Sequence, residues 1–368
     1  LMKIIKLESF TKPFVSFVRV TLEDGTSGFG QMSTYHADIT AQIFHKQLAP
    51  WVLGKNWENF EDIEKLILEK EHKFPGSYIL RAIAGLDTAL WDIKGKITEQ
   101  PIVSIIGGNP GPLRVYGSSM KRDISPTEEA ERFKILQDKK GINAFKYRIG
   151  SECGRGKDEW EGRSEQIIKT IYKSLDTSTD KLVDANSCYS PDQAIEIGKL
   201  LQDNGVTHFE EPCPYWEPEQ TKKVTDALDI DVSGGEQDCD FRIWRDMIDR
   251  KIVDIFQPDV MYMGGLTRIL KLANLINEAG FVCTPHSANL SLVTVCTMHL
   301  LKAIPNAGKY LEFSIEGEDY YPWQQNLFSK HPFEIKEGKI MVTDEPGWGI
   351  VINEDWLNSS EYKISELN

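Results

Sequence analysis

Apolar residues at 79, 83, 86, 90 and 93 line one face of a helix across Ile79–Lys94. Upstream, Phe14-Val15-Ser16-Phe17-Val18-Arg19-Val20 is rich in β-branched and aromatic residues. Glu23-Asp24-Gly25 then turns the chain, and Ser27-Gly28-Phe29-Gly30 begins a return strand. Helical stretches are predicted near 37–50, 58–70 and 77–96. A sheet followed by helices over about 110 residues is an α+β unit. It ends in the turn-rich Gly107-Gly108-Asn109-Pro110-Gly111-Pro112.

From Leu113 the rhythm changes. Short apolar runs end in an ionisable residue, and a helical stretch follows each one. The ends are Lys146, Asp184, Glu210, Glu236, Asp259, His286 and Glu312, at intervals of 38, 26, 26, 23, 27 and 26. Ser125-Pro126-Thr127-Glu128 and Ser190-Pro191-Asp192-Gln193 each read as a capping box with proline in the first turn. Gly141, Gly205 and Gly280 stand where helices should stop. The long first interval holds an inserted loop, 150–157. With Arg114–Gly117 as the first strand there are eight, which predicts an α/β barrel with its chemistry at the C-terminal strand ends. The tail after Glu312 shows no helical period and is expected to pack back on the N-terminal block.

Composition narrows the partners. The 368 residues carry 42 Lys and Arg against 56 Asp and Glu, a formal net charge of -14. Such a surface repels phosphate backbones and anionic membranes, so neither nucleic acid nor membrane is an expected partner. The stretch Ala279–Leu301 lacks Asp, Glu, Lys and Arg, but its Ser, Asn and His residues make it too polar to span a bilayer. No apolar run follows Lys3 and Lys6, so no signal peptide is expected, and Leu1 before Met2 reads as an added residue. Six cysteines without CxxC or zinc-like spacing favour free thiols in a reducing cytoplasm.

The strand-end residues suggest chemistry. Asp184, Glu210 and Glu236 on consecutive strands would converge and repel one another unless a hard divalent cation joined them, and few carboxylates with open positions favour Mg²⁺. Any one of these acids alone is better read as a helix cap or surface ion pair. Asp259 and His286 on adjacent strands form a general-base arrangement, the carboxylate orienting the imidazole. Lys146 and Arg148 share a face of strand two and would face either an anion or solvent. Glu312 beside these acids is expected to be protonated and to donate a hydrogen bond to a developing enolate.

At this point the sequence resembles the enolase superfamily, in particular its mandelate racemase subgroup, over essentially the whole chain. The motifs are Ala82–Lys96 (AIAGLDTALWDIKGK), Val183-Asp184-Ala185-Asn186, Phe209-Glu210-Glu211-Pro212, Gly234-Gly235-Glu236, Gln257-Pro258-Asp259, Gly264-Gly265-Leu266 and Pro285-His286-Ser287. The resemblance implies a (β/α)7β modified TIM barrel over 113–325. An α+β capping domain over 1–112 precedes it, and a segment 326–368 packs back on that cap. It also implies one Mg²⁺ per subunit on Asp184, Glu210 and Glu236, with the Asp259–His286 dyad as base. Lys146 and Glu312 would flank a substrate carboxylate, Asn186 would contact substrate, and the chain would assemble as a homo-oligomer.

One departure matters. The family commonly has Lys-x-Lys on strand two, whereas this chain has Lys146-Tyr147-Arg148. Arginine is a poor base at neutral pH. Racemisation needs a base on each face, and Lys146 could replace the missing one only with a depressed pKa. The expected reaction is therefore dehydration of an acid sugar: His286 takes the α-proton, Lys146, Mg²⁺ and Glu312 stabilise the enediolate, and the 3-hydroxyl leaves. Arg148 would act as an electrostatic group. A racemase or epimerase and a non-catalytic acid-binding barrel remain as alternatives; a cycloisomerase is disfavoured by Asp259, where that branch carries Lys. The resemblance also implies that specificity comes from capping-domain loops near 10–16 and 31–40; within them Lys12 and His36 are better read as a solvated lysine and a helix-start histidine. Tyr215-Trp216 and Tyr320-Tyr321-Pro322-Trp323 would wall the site or simply pack.

Overall fold

The computed structural model describes residues 2–367. Leu1, read above as an added residue, lies outside them.

The N-terminal strands are β1 (Ile4–Thr11), β2 (Ser16–Leu22) and β3 (Ser27–Gln31), joined as an antiparallel meander. The long amphipathic helix Ser77–Ile97 lies on this sheet. Its approach needs glycine: a Cβ at Gly30 would sit 2.3 Å from the Gly85 carbonyl oxygen, and one at Gly28 2.4 Å from that of Ala89. The segment predicted as one helix over 37–50 is broken into Ala37–Ile43, a wide turn at Phe44–Leu48, and Ala49–Val52. Pro50, without an N–H, cannot continue the regular ladder.

The barrel strands are β4 (Gly111–Ser118), β5 (Ala144–Arg148), β6 (Asp180–Asp184), β7 (Val206–Glu210), β8 (Asp231–Gly234), β9 (Ile255–Phe256), β10 (Val282–Cys283) and β11 (Leu311–Ser314). They pair in parallel from β4 through β10, and β11 returns to pair with β4. A helix follows each strand except β11, so the fold is α/β, (β/α)7β, with an α+β cap. Both capping boxes form: Ser125 Oγ accepts from Glu128 N, and Ser190 Oγ from Gln193 N. Gly141 ends its helix in the left-handed region at φ 70°.

The tail divides. β12 (Ile335–Lys336) and β13 (Lys339–Val342) form a hairpin that pairs antiparallel with the start of β4 in the barrel. The last strand, β14 (Glu361–Glu366), joins the sheet of the cap, antiparallel to β1, and Phe328 and Trp356 pack edge-on against Phe17 of β2. Trp348 between them is fully buried and donates its indole N–H to Thr88 O of the long helix at 2.8 Å.

Buried polar contacts tie cap to barrel. Asp87 accepts from the backbone N–H of Thr267 at 3.2 Å and from its hydroxyl, at the start of the helix Leu266–Glu278. Arg268 pairs with Glu64 at 2.6 Å, both largely buried. Gln31 bonds Ser291 Oγ and the Leu292 N–H, each at 2.9 Å.

β14 is held by charge as well as by its ladder. Glu8 of β1 accepts from Arg19 of β2 at 2.6 and 2.7 Å and from the Tyr362 hydroxyl at 2.8 Å. Burial alone would raise the Glu8 carboxyl; hydrogen bonds from Arg19 and Tyr362 outweigh it and hold the pKa below the usual 4.5. A carboxyl depressed in the folded state contributes stability above its ordinary pKa and loses it as the pH falls through the folded value. Glu8→Gln is therefore expected to lower stability at neutral pH by about 1–2 kcal/mol, the half-exposed Arg19 limiting the effect. Wild type and variant should converge in thermal melts taken well below pH 4.5. A gap that persists in acid would show that the contribution is steric.

Candidate active site

Strand register builds the site. On β5, β6 and β7, Arg148 pairs with Asp184 and Asp184 with Glu210, so three strand ends stand side by side. Glu236 lies two residues past β8, after Gly235 turns the chain at φ 109°. Asp259 and His286 lie beyond the two-residue strands β9 and β10, and an isolated parallel bridge joins them. Glu312 lies within β11, next to β4. All of these side chains are buried at the C-terminal end of the barrel. Asn186 adopts φ 42° just past β6, its backbone N–H bonded to Asp184 Oδ1 at 2.6 Å.

The dyad is tightly held. His286 Nδ1 lies 2.8 Å from Asp259 Oδ2, while Asp259 Oδ1 accepts from the backbone N–H groups of Met261 at 2.7 Å and Tyr262 at 2.9 Å. An acceptor-only carboxylate assigns the proton to Nδ1 and leaves Nε2 as the working nitrogen. Nε2 points toward Glu236 Oε2 at 3.4 Å. Burial pushes the imidazole pKa down, but Glu236 and the Asp259 hydrogen bond outweigh it and raise it to about 10.

Across from the dyad stand the two cations of β5. Lys146 Nζ lies 2.6 Å from Glu210 Oε2, 2.7 Å from Glu312 Oε1 and 3.8 Å from Asp184 Oδ2. Burial would lower its pKa; Glu210 and Glu312 more than reverse that and hold it above the ordinary lysine value. Arg148 bonds Asp184, the Asn186 side-chain oxygen at 2.8 Å and the Ser119 carbonyl at 2.8 Å.

Glu312 corrects its expectation. It accepts from Ser118 Oγ and from the Ser287 N–H, each at 2.8 Å, besides facing Lys146. Burial raises its pKa, but Lys146 and His286 override that and hold it well below the usual carboxylate range. Surrounded by donors, Glu312 is an anion that anchors Lys146, not a protonated donor.

Asp184, Glu210 and Glu236 offer only oxygen. Among the described residues no three His, Cys, Asp or Glu close on one point as metal ligands do. Lys146 instead stands against Glu210 and Asp184, and His286 against Glu236. Glu210 Oε1 and Glu211 Oε1 are buried without a hydrogen-bond partner. Unpartnered buried carboxylate oxygens beside further carboxylates fit a hard divalent cation.

Three residues here were not singled out by sequence. Gln257 donates to Glu210 Oε2 at 3.0 Å, and its place in Gln257-Pro258-Asp259 was a signal. Glu211 is buried beside Glu210; burial, then Glu236 and Glu210, raise its carboxyl well above the usual range. Arg122, on the loop after β4, bonds the Asn186 oxygen at 2.6 Å, and no sequence pattern marks it. The loop aromatics divide: Tyr321 is buried, Trp323 stacks on Phe14 of the cap at 6.0 Å, and Trp216 is exposed.

Residues 4–107 match the mandelate racemase/muconate lactonizing enzyme N-terminal domain, and residues 128–356 match the enolase C-terminal domain-like family. The chain belongs to the mandelate racemase/muconate lactonizing enzyme family. This member is similar to an arabinonate dehydratase of Saccharolobus solfataricus, 26% identical over 94% of this chain and 89% of that one. Among solved structures it is similar to a candidate racemase from Roseobacter denitrificans, 58% identical with a TM-score of 0.98, over 99% of this chain and 100% of the other. It is also similar to a mandelate racemase/muconate lactonizing protein from Paracoccus denitrificans complexed with magnesium. That pair is 27% identical with a TM-score of 0.87 over 100% of both chains. No helix among the described residues is long and apolar enough to cross a membrane.

Proposed function

We propose that this family member is a Mg²⁺-dependent dehydratase of an acid sugar, an aldonate or aldarate, giving a 2-keto-3-deoxy acid. The observation that carries the reading is the asymmetry of the two faces. On one side stands His286, steered by Asp259 at 2.8 Å, whose Nε2 would become a free base once a cation neutralises the Glu236 charge that raises its pKa. On the other, Lys146 is clasped by Glu210 and Glu312, and Arg148 by Asp184. Inverting one carbon requires a proton acceptor and a donor on opposite faces; eliminating a β-hydroxyl can use one. The arabinonate dehydratase relative supports the same reaction class, and the magnesium-bound relative supports the metal.

Asp184, Glu210 and Glu236 would hold the cation. When bound, it supplies Lewis acidity that makes the proton α to a carboxylate removable. The chain's own groups do the rest. His286 Nε2 takes the α-proton while Nδ1–H stays on Asp259. The Lys146 ammonium donates to the negative charge that develops on the substrate carboxylate, held in place by the Glu312 anion. The C–O bond at the β-carbon then breaks, and the protonated imidazole returns its proton to the leaving hydroxyl. The enol product ketonises.

The test is a set of mono- and diacid sugars incubated with Mg²⁺ in deuterated water, read by semicarbazide absorbance and NMR. The expected result is a keto acid carrying one solvent deuterium at C3, the former β-carbon, with no inverted starting material. Recovered substrate that carries deuterium with inverted configuration would replace dehydration by racemisation, the activity suggested for the Roseobacter relative.

A further inference from the structure

Arg122 is the feature of this site that the mechanism above leaves unused. It lies on the loop after β4 and reaches the end of β6. Its Nε donates to the Gly150 carbonyl at 3.0 Å and its Nη2 to Asn186 Oδ1 at 2.6 Å. Both acceptors are neutral. Among the described residues its Nη1 makes no hydrogen bond, and no carboxylate pairs with it. Arg122 is half-buried, and a guanidinium partly withdrawn from water without a counter-charge gains from an anion that pairs with it.

The other cations around the strand ends have their donors or faces occupied; Arg163, which likewise has no carboxylate among the described residues, spends its guanidinium on the Ile124 and Arg148 carbonyls and lies over the Trp160 ring at 5.2 Å. Lys146 has Glu210 and Glu312, Arg148 has Asp184, and His286 has Asp259. Arg81, which also lacks a carboxylate, has its face covered by the Tyr262 ring at 3.6 Å and donates to Ser33 Oγ at 2.5 Å. Arg122 has no such cover. Arg148 instead shares the same Asn186 oxygen at 2.8 Å, so two positive groups crowd one neutral acceptor. Burial and the Arg148 charge push the Arg122 pKa down to about 10, the direction expected of a cation short of an anion.

Its place indicates what that anion is. Asn186 links Arg122 to Asp184: the Asn186 N–H reaches Asp184 Oδ1 at 2.6 Å, and the amide Nδ2 reaches Oδ2 at 3.2 Å. The free guanidinium edge is therefore one side chain beyond the carboxylates proposed to hold the reacting end of the substrate. The Tyr320 hydroxyl donates to the Met120 carbonyl at 3.4 Å, and the Met120 sulfur accepts from Arg148 at 2.8 Å. A cation, an amide and a phenol at that remove suit the far end of a short polyhydroxy chain.

We infer that Arg122 is a specificity-determining residue that binds a second, distal carboxylate of the substrate, which makes the substrate a sugar diacid. This rests on the acid-sugar reading above and narrows it. A carboxylate matches the planar guanidinium edge through two parallel hydrogen bonds. One unpaired positive charge also suits a monoanionic carboxylate better than a phosphate monoester, which carries about −1.5 to −2 at neutral pH.

The experiment uses the full chain with Mg²⁺ and two matched pairs of acids, galactarate against galactonate and glucarate against gluconate, with 6-phosphogluconate as a third arm. Calorimetric binding and keto-acid formation are both measured for wild type, Arg122→Gln, Arg122→Lys and Arg81→Gln. Wild type is expected to favour a diacid over its monoacid by roughly 10–100-fold, the range of one charge-assisted pair. Arg122→Gln should lose that preference through the diacid alone, with monoacid binding within about threefold of wild type. Arg122→Lys should restore part of it, which separates lost charge from lost structure. Wild-type preference for monoacids or for 6-phosphogluconate would overturn the assignment. So would equal losses for both members of a pair in Arg122→Gln, or collapse of the preference in Arg81→Gln instead. Diacid-selective binding that depends on Arg122 without any keto product would refute the dehydratase reading and leave this inference standing. Keto product without charge selectivity would do the reverse.

Discussion

Replacing His286 with Asn is expected to lower keto-acid formation by roughly 10³–10⁴-fold, the upper range for a lost general base. Exchange of the α-proton with deuterated solvent should fall with it, because both begin with the same proton transfer. Asn fills a similar volume and can still donate to Asp259, so the fold and metal affinity should change little. Asp259→Asn is the companion test. Its amide can donate to His286 Nδ1, which moves the ring proton to Nε2 and removes the lone pair that does the work; roughly 10²-fold or more should be lost. The backbone donors of Met261 and Tyr262 both bond Oδ1, so they hold the amide oxygen toward themselves and the amide nitrogen toward His286. Proton exchange that survives in His286→Asn would reassign the base.

Chelation of divalent ions is expected to reduce turnover to background, with recovery on adding Mg²⁺. Glu210→Gln tests the same centre inside the chain. Glu210 joins the cluster through one oxygen bonded to Lys146 and Gln257, and its other oxygen has no partner. The amide keeps the shape and removes the charge, so Mg²⁺ affinity measured by calorimetry should fall roughly 10²-fold or more. Unchanged affinity would exclude Glu210 as a ligand. Glu236→Gln should weaken binding as well, and it also removes the carboxylate nearest His286 Nε2. Its effect on the pH profile should therefore exceed that of Glu210→Gln.

Much of this site could be read from the chain because a barrel converts sequence period into position. Asp184 and Glu210 end their strands and pair in register. Past them the ladders stop short of the chemistry. Pro258 and Pro285, which have no N–H to donate, precede Asp259 and His286, and Gly235 turns the chain before Glu236. The spacing still located these residues, because each strand's first turn carries the side chain to the same rim. Ionisation states were not legible. Glu312 is read as protonated from its acidic neighbours, yet Ser118, the Ser287 N–H and Lys146 reach it from three different strand ends. Arg122 was invisible for the same reason: its partners lie at positions 150 and 186, and no local pattern announces a contact across two loops. The tail was legible only in part, since absence of helical period does not say that one hairpin would extend β4 while the last strand crossed to the cap.

The contacts between cap and barrel bear on how substrate enters. Asp87 on Thr267, and Arg268 on Glu64, are buried pairings that span the two units. Swinging the cap away would break these contacts together with the Gln31 bonds to Ser291 and Leu292. The cap is therefore braced against the barrel at several points. Local movement is then easiest at the turn Pro13–Phe14, where the half-exposed Phe14 ring stacks on Trp323 and meets Tyr35 edge-on. Admission and release then become matters of a few side chains moving aside, and the pace of turnover is decoupled from rigid-body motion of the domains.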